Sequence, residues 1–266
     1  MKKIICVLLV LILFLAGCAG GGGGNAPIAS LSDFEGLKVA TLTGTMFASY
    51  IDPVIPNVEY KYFNSLPDTV ASLSSGKADA LALDMPVAKY LVAGNPGLVI
   101  FPDVVADDRY GFAVTKGSEL AVKGNEALQK LKENGTVGEL EKIWFSPDES
   151  KKVLSELNYI DGFNGSAGTL RYGCENTTVP MSYLGPGGDP VGFDLDIARR
   201  IAYELNMNIE FVPMSFDALL TSLASGRVDM VGGSMSITEE RRKSVDFIGP
   251  YFEGGVVLVI KNERLA

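Results

Sequence analysis

The sequence contains no histidine and only three cysteines among its 266 residues. The absence of histidine excludes a catalytic triad and a histidine general base. Two of the cysteines, Cys6 and Cys18, lie at the very start of the chain, so Cys174 is the one thiol in its body. We therefore expect no histidine- and cysteine-based metal site, no cofactor and no intrachain disulfide.

Positive charge is also scarce. The chain has 23 basic and 32 acidic residues, which gives a formal net charge of −9. No stripe of lysine and arginine interrupts this acidic composition, so nucleic acid is not expected as a partner.

The amino-terminal segment has the pattern of a secretion signal. Lys2 and Lys3 precede an apolar run at 4–15 that is shorter than the roughly 20 residues of a membrane-spanning helix. The run ends at Leu15-Ala16-Gly17-Cys18, which resembles the lipobox of bacterial lipoproteins. This resemblance implies a signal peptide at 1–17, an acylated (palmitate-bearing) Cys18, and a glycine-rich tether at 18–30.

The body alternates short apolar strands with helical patterns, which predicts an α/β fold with mostly parallel sheets covered by helices. One motif occurs twice, as SLSSGKAD at 72–79 and SLASGRVD at 222–229. Each copy follows an amphipathic helix pattern and leads into an apolar run, as in half of a βαβ unit. The repeat therefore predicts two similar lobes with a cleft between them.

Four segments follow the tether. We predict an α/β segment at 31–114, two helices at 115–145, a polar linker at 146–168 and a second α/β segment at 169–266. The strand beside the first helix pair is predicted at 110–115, and the last strand at 255–260. Asp79 and Asp229 occupy the same place in the repeat, so we predict for both a structural role at the start of a strand.

Several motifs resemble the family of polar amino-acid-binding proteins that serve ABC importers (extracellular solute-binding proteins, family 3). GFDLD at 192–196, GRVD at 226–229 and SMSITEER at 234–241 are similar to the family's first lobe. The segments 37–45, 76–84 and 134–136 are similar to its second lobe and closing helices. The resemblance implies the type II periplasmic-binding-protein fold, with two lobes and a ligand cleft.

The lobes stand in reversed order relative to this family. The segments together make about one complete binding protein, which indicates a circular permutant; a truncated tandem protein is the alternative. Joining the old termini through a linker is feasible, because termini often lie close together. The permutant predicts that the chain near Leu31 lies close to the chain near Lys261.

The resemblance implies a function and an environment. It implies a monomeric, non-enzymatic lipoprotein outside the cytoplasm, anchored to the cell membrane at Cys18. That protein would close on a polar amino acid, basic ones included, and deliver it to the permease subunits of an ABC importer. Two alternatives stay open, namely a ligand-sensing lipoprotein and a dehydratase-like enzyme on the same fold.

The resemblance also implies roles for residues that would grip the amino acid. Arg241 would bind the carboxylate, since a guanidinium pairs with it bidentately. Asp84 would accept from the ammonium group, and Phe216 would stack on the side chain. The residues themselves also allow a solvated charge at 241, a helix cap at 84 and a core aromatic at 216.

Five further positions complete the predicted site. Ser234 and Ser236 precede a helix, where hydroxyl and N–H groups can converge on an anion, although they could equally be turn or capping residues. Thr45, at the corresponding helix start of the other lobe, would give a second carboxylate contact. Glu175 would select the ligand side chain, and the small Thr178, where many members have an aromatic residue, indicates a roomier or more polar pocket.

Overall fold

The computed structural model describes residues 26–154 and 163–266. The predicted signal peptide, Cys18, the glycine run at 20–24 and part of the linker lie outside the described residues. The helices are α1 (Phe47–Ile51), α2 (Leu66–Ser74), α3 (Met85–Gly94), α4 (Glu119–Glu133), α5 (Thr136–Trp144), α6 (Phe193–Glu204), α7 (Leu219–Ala224) and α8 (Glu239–Arg242). The strands are β1 (Lys38–Leu42), β2 (Glu59–Phe63), β3 (Ala80–Asp84), β4 (Leu98–Ile100), β5 (Ala106–Thr115), β6 (Thr169–Cys174), β7 (Thr177–Thr178), β8 (Ser182–Leu184), β9 (Pro190–Val191), β10 (Asn208–Pro213), β11 (Met230–Gly232) and β12 (Val245–Lys261).

Two parallel groups of strands are joined by a central antiparallel pair. The order in the main sheet is β10-β6-β11-β5-β12-β3-β1-β2, with β4 also paired to β12. Strands β10, β6 and β11 run parallel to one another, as do β3, β1 and β2. We call the half with β1–β3 the Asp84 lobe and the half with β6, β10 and β11 the Arg241 lobe. The predicted two-lobed α/β fold is confirmed.

The central strands β5 and β12 pass from one lobe to the other. Strand β12 pairs with β5 along most of its length and with β3 over Val256–Val259. Strand β5 pairs with β11 at Ala113 and Val114. These two strands are the crossings about which the lobes can move.

The helix pair α4–α5 belongs to the Arg241 lobe. It packs on α6, and Trp144 is fully buried there with its Nε1 donating to Asp196 Oδ2 at 3.2 Å. The apolar faces of α4 and α5 carry Leu128, Leu131 and Leu140 into the same core.

The two ends of the described chain lie side by side. The Ile28 N–H donates to the Arg264 carbonyl at 2.7 Å, and the Ala266 N–H donates to the Ile28 carbonyl at 3.0 Å. The permuted order requires this proximity. The distinction between a permutant and a piece of a tandem protein stays a prediction.

Candidate functional site

A cavity lies between the lobes, at the carboxyl ends of β3 and β11. Open α/β sheets bind ligands at such strand ends. The cavity leaves about 20 Å³ for the centres of water-sized molecules, within about 420 Å³ of space between atoms that includes open solvent. It is lined by Leu42, Thr45, Phe47, Leu66, Leu83, Asp84, Val87, Thr178, Phe216, Gly233, Ser234 and Ser236.

The lobes are closed around this cavity. Arg241 Nη2 donates to the Gly44 carbonyl at 3.0 Å, and the Leu66 N–H donates to Thr177 Oγ1 at 3.2 Å. The backbone of Gly44 also packs closely against Asp217 of the other lobe, since a Cβ added at Gly44 would lie 3.1 Å from Asp217 Cα. Each of these contacts joins the Asp84 lobe to the Arg241 lobe, so they exist only in the closed form.

Asp84 lies in the cavity wall at the last position of β3. It is 7% exposed, and the Tyr110 hydroxyl donates to its Oδ1 at 2.8 Å. Burial, followed by the charge of nearby Asp108, raises the pKa of Asp84 well above its usual value. Asp84 occupies the N-cap position of α3 but makes no side-chain capping hydrogen bond there. A cationic group in the cavity would stabilise its ionised form.

Arg241 lies beside the cavity on α8 and is 5% exposed. Its Nη1 donates to the Ser236 carbonyl at 2.9 Å, and its guanidinium lies 5.7 Å from the centroid of the Phe216 ring. The interpretation of Arg241 as a solvated charge is therefore wrong. Within the described ranges, no carboxylate oxygen lies within 4 Å of its guanidinium nitrogens. A buried cation without a counter-ion is costly, so the site favours an anion there.

The hydroxyl groups of the site differ in whether the protein already supplies their hydrogen-bond partner. Ser236 Oγ donates to Asp108 Oδ2 at 2.7 Å, and Thr45 Oγ1 donates to the Leu42 carbonyl at 2.8 Å. Ser234 Oγ is buried and has no hydrogen-bond partner in the described part of the chain. Ser234 therefore presents a hydroxyl that a ligand can satisfy.

The loop at Ser234 is held from behind by a buried carboxylate. Ser234 has a left-handed backbone with φ +52°, and its N–H donates to Asp194 Oδ2 at 2.7 Å. Burial raises the pKa of Asp194 to about 7. Asp194 thus fixes the strained turn that lines the cavity.

Glu175 and Thr178 follow β6 but occupy different environments. The Glu175 carboxylate faces the backbone and accepts from the N–H groups of Thr177 at 2.9 Å and Thr178 at 2.8 Å, and from the Thr177 hydroxyl. It does not line the cavity. Thr178 does line it, and its buried Oγ1 has no partner among the described residues.

Sequence reasoning missed the supporting groups of the site. Asp194 lies within the GFDLD motif, but a carboxylate in the first turn of a helix is usually explained by its favourable interaction with the helix dipole. Asp108 and Tyr110 lie on β5 and bond to Ser236 and Asp84, contacts that join distant parts of the chain. No local pattern reveals such long-range pairing.

The family profile of bacterial extracellular solute-binding proteins, family 3, matches residues 170–265. Over these residues the chain is similar to that family. The L-cystine-binding protein TcyJ of Escherichia coli (strain K12) is 36% identical over 94 residues, 35% of each chain. The ABC transporter arginine-binding protein 1 of the same strain is 33% identical over 114 residues, 42% of this chain and 47% of that protein. This chain thus spans less than half the length of these relatives.

Solved structures give a similar comparison. An ancestral arginine-binding protein bound to arginine is 47% identical over 34% of this chain and 38% of its own, with a TM-score of 0.31. A search of residues 26–154 and 163–266 finds no helix with the length and apolarity to span a bilayer. The same residues contain no group of three metal-ligating side chains.

Proposed function

We propose that this protein binds a free α-amino acid between its lobes. The buried Arg241 carries the proposal: no carboxylate of the described residues is in direct contact with its guanidinium, which can therefore pair with an anion of the kind that an amino acid's carboxylate supplies. The buried carboxylate of Asp84, in the wall of the adjoining cavity, supplies the acceptor for the ammonium group. Ser234 and Thr45 border the same space, and Phe216 contributes an aromatic wall.

Binding at this site would stabilise the closed form. The contacts from Arg241 to Gly44 and from Leu66 to Thr177 form only when the lobes meet. A ligand that touches both Asp84 and Ser234 shifts the population toward that state. Relatives named as amino-acid-binding proteins, one of them an ABC transporter component, support delivery of the closed form to an importer permease.

Several finer points belong to the same proposal. The protein acts as a monomer outside the cytoplasm, tethered to the membrane by a lipid on Cys18, and its lobes are a circular permutation of the family order. It binds and does not transform its ligand, because Arg241 and Asp84 are both needed to hold the amino acid and no histidine is available for proton transfer. Replacing Cys18 by serine should move the protein from the membrane fraction to the soluble fraction.

A thermal-shift screen with the twenty amino acids tests ligand binding. The wild-type protein should be stabilised by at least one of them, and Arg241→Ala should lose this stabilisation. Arg242→Ala is the matched control, because Arg242 is the neighbouring but exposed arginine of α8. A wild-type protein that responds to none of the twenty, or an Arg241→Ala variant that responds like wild type, would overturn the proposal.

A further inference from the structure

The charges of the cavity are matched by the two charges that every amino acid carries. Among the residues that line it, Asp84 is the one ionisable side chain, and Arg241 adjoins it through Ser236 and Phe216. A ligand carboxylate at Arg241 and a ligand ammonium at Asp84 neutralise both. A third charge, on the ligand side chain, would have no partner among the residues that line the cavity, which is unfavourable.

The other nearby carboxylates are already engaged by the protein. Glu175 lies behind Gly233, where an added Cβ would come within 2.8 Å of Glu175 Cβ, and its oxygens accept from Thr177 and Thr178. Asp194 accepts from the Ser234 N–H. Neither lines the cavity, so neither is placed to balance a cationic side chain.

Asp108 is engaged as well. It accepts from the hydroxyls of Ser236 and Tyr50 and from the Arg109 N–H, at 2.7 to 3.0 Å. Turning it toward a ligand would break all three hydrogen bonds. On the described residues, no basic side chain other than Arg241 adjoins the cavity, so an anionic side chain also lacks a partner.

The walls fit an uncharged side chain. Most of the lining is apolar, from Leu42, Phe47, Leu66, Leu83, Val87 and Phe216. The unpartnered hydroxyls of Thr178 and Ser234 add hydrogen-bonding capacity without charge. Burial of such hydroxyls is costly until a ligand satisfies them.

We infer that the ligand is an amino acid with an uncharged side chain. The inference rests on the proposed amino-acid-binding function and narrows it. It departs from the sequence-based expectation that basic side chains are included, because that expectation relied on a selecting role for Glu175. Here Glu175 supports the turn at Thr177–Thr178 instead.

Isothermal titration of the full-length protein tests this inference with a panel of pure amino acids. Arginine, lysine, aspartate and glutamate form the charged set; serine, glutamine, valine and leucine form the uncharged set. We expect the best uncharged ligand to bind roughly a hundredfold or more tightly than any charged one. A charged amino acid that binds within about tenfold of the best uncharged one would overturn the inference and leave the proposed function intact.

The same panel separates the two proposals. If none of these eight binds and the thermal-shift screen of all twenty amino acids also gives no response, the proposed function itself fails. A gain-of-charge variant, Thr178→Asp, places a carboxylate in the cavity wall and should raise arginine affinity relative to glutamine by about tenfold or more. If Thr178→Asp melts cooperatively as a folded protein but keeps the wild-type ligand preference, charge matching does not set the selectivity. If the variant does not fold, the affinities of the wild-type protein for the charged and uncharged sets decide whether the inference holds.

Discussion

The two lobes share a scaffold up to the point at which they meet the cavity. In each copy of the repeat the helix ends at a glycine with left-handed backbone, Gly76 at φ +74° and Gly226 at φ +70°. The aspartate that follows then holds the start of the lobe's first strand. Asp79 accepts from the Lys38 N–H and Asp229 from the Arg171 N–H, both at 2.9 Å. The predicted structural role of these two aspartates is confirmed.

Five residues further on, the lobes diverge. The Asp79 copy leads to Asp84, followed at once by helix α3, whereas the Asp229 copy leads to Ser234, in a loop that Asp194 supports. Both residues line the cavity. The comparison shows that the repeat supplies equivalent positions, while the residue at the strand end decides which part of a ligand each lobe can hold.

Removing the polar group at either of these equivalent positions, Asp84 or Ser234, should have the largest effect on ligand affinity. Asp84→Asn removes a buried anion opposite the ligand ammonium, and such losses cost about 2–5 kcal/mol, or at least about thirtyfold in affinity. Ser234→Ala removes one uncharged hydrogen bond and should cost about tenfold or less. Titration calorimetry with the best ligand of the screen measures both.

Stability of the unliganded protein is the control for this pair. Because burial raises the pKa of Asp84, its ionisation is costly, so Asp84→Asn should melt higher than wild type at pH 8. Equal affinity losses in Asp84→Asn and Ser234→Ala would contradict the idea that the two positions hold different parts of the ligand.

The sequence predicted the crossings between the lobes only in part. The last strand was predicted at 255–260, but β12 begins at Val245, and β5 begins at Ala106, where 110 was predicted. The early part of β12 contains Gly249-Pro250, and the early part of β5 contains Asp107 and Asp108. Such residues disfavour a strand locally, and the pairing of β5 with β12 overrides that preference.

The same limit applies to Glu175. Its position after the first strand of its lobe matched the family pattern, but the direction of its side chain depends on the N–H groups of Thr177 and Thr178. These hydrogen bonds are local, two and three residues along the chain, and they hold the start of the short hairpin that β7 forms with β8. The motif therefore predicted the place of Glu175 after β6, while its hydrogen bonds to Thr177 and Thr178 determine that its carboxylate faces away from the cavity.

The support of the Arg241-lobe loop by Asp194 should appear in the pH dependence of stability. Its pKa is raised from 3.8 to about 7, so the folded state binds the proton more tightly than the unfolded state. Its contribution to stability is therefore complete below about pH 4 and is lost as the pH rises to about 7. Relative to wild type, Asp194→Asn should gain about 1–3 kcal/mol across this window, measured by urea unfolding without ligand. A constant difference between the two proteins would contradict a raised pKa at Asp194.

Removing the aspartates of the repeat should cost stability in both lobes. Asp79→Ala removes the acceptor of the Lys38 N–H and of Arg264, and Asp229→Ala removes the acceptor of the Arg171 N–H and guanidinium, so each should lower the free energy of unfolding by about 1–2 kcal/mol. Ligand affinity should stay within about twofold of wild type, because neither carboxylate lines the cavity. A tenfold loss of affinity in either variant would show that the scaffold and the site are not separable.

The smallest effect is expected at the contact where the lobes close. Thr177 Oγ1 accepts from the Leu66 N–H of the opposite lobe and donates to Glu175, so Thr177→Val removes a hydrogen bond that only the closed form makes. We expect a loss of about 1 kcal/mol, or roughly fivefold in affinity, together with a lower unliganded stability, because the hydroxyl's hydrogen bond to the buried Glu175 is lost as well. Thr43→Val is the matched control, since the Thr43 hydroxyl bonds to the Phe63 carbonyl and Asn64 within one lobe. If titration calorimetry gives the same affinity for both variants, the contact from Leu66 to Thr177 does not contribute to closure, and the lobes are held together by Arg241 and the ligand alone.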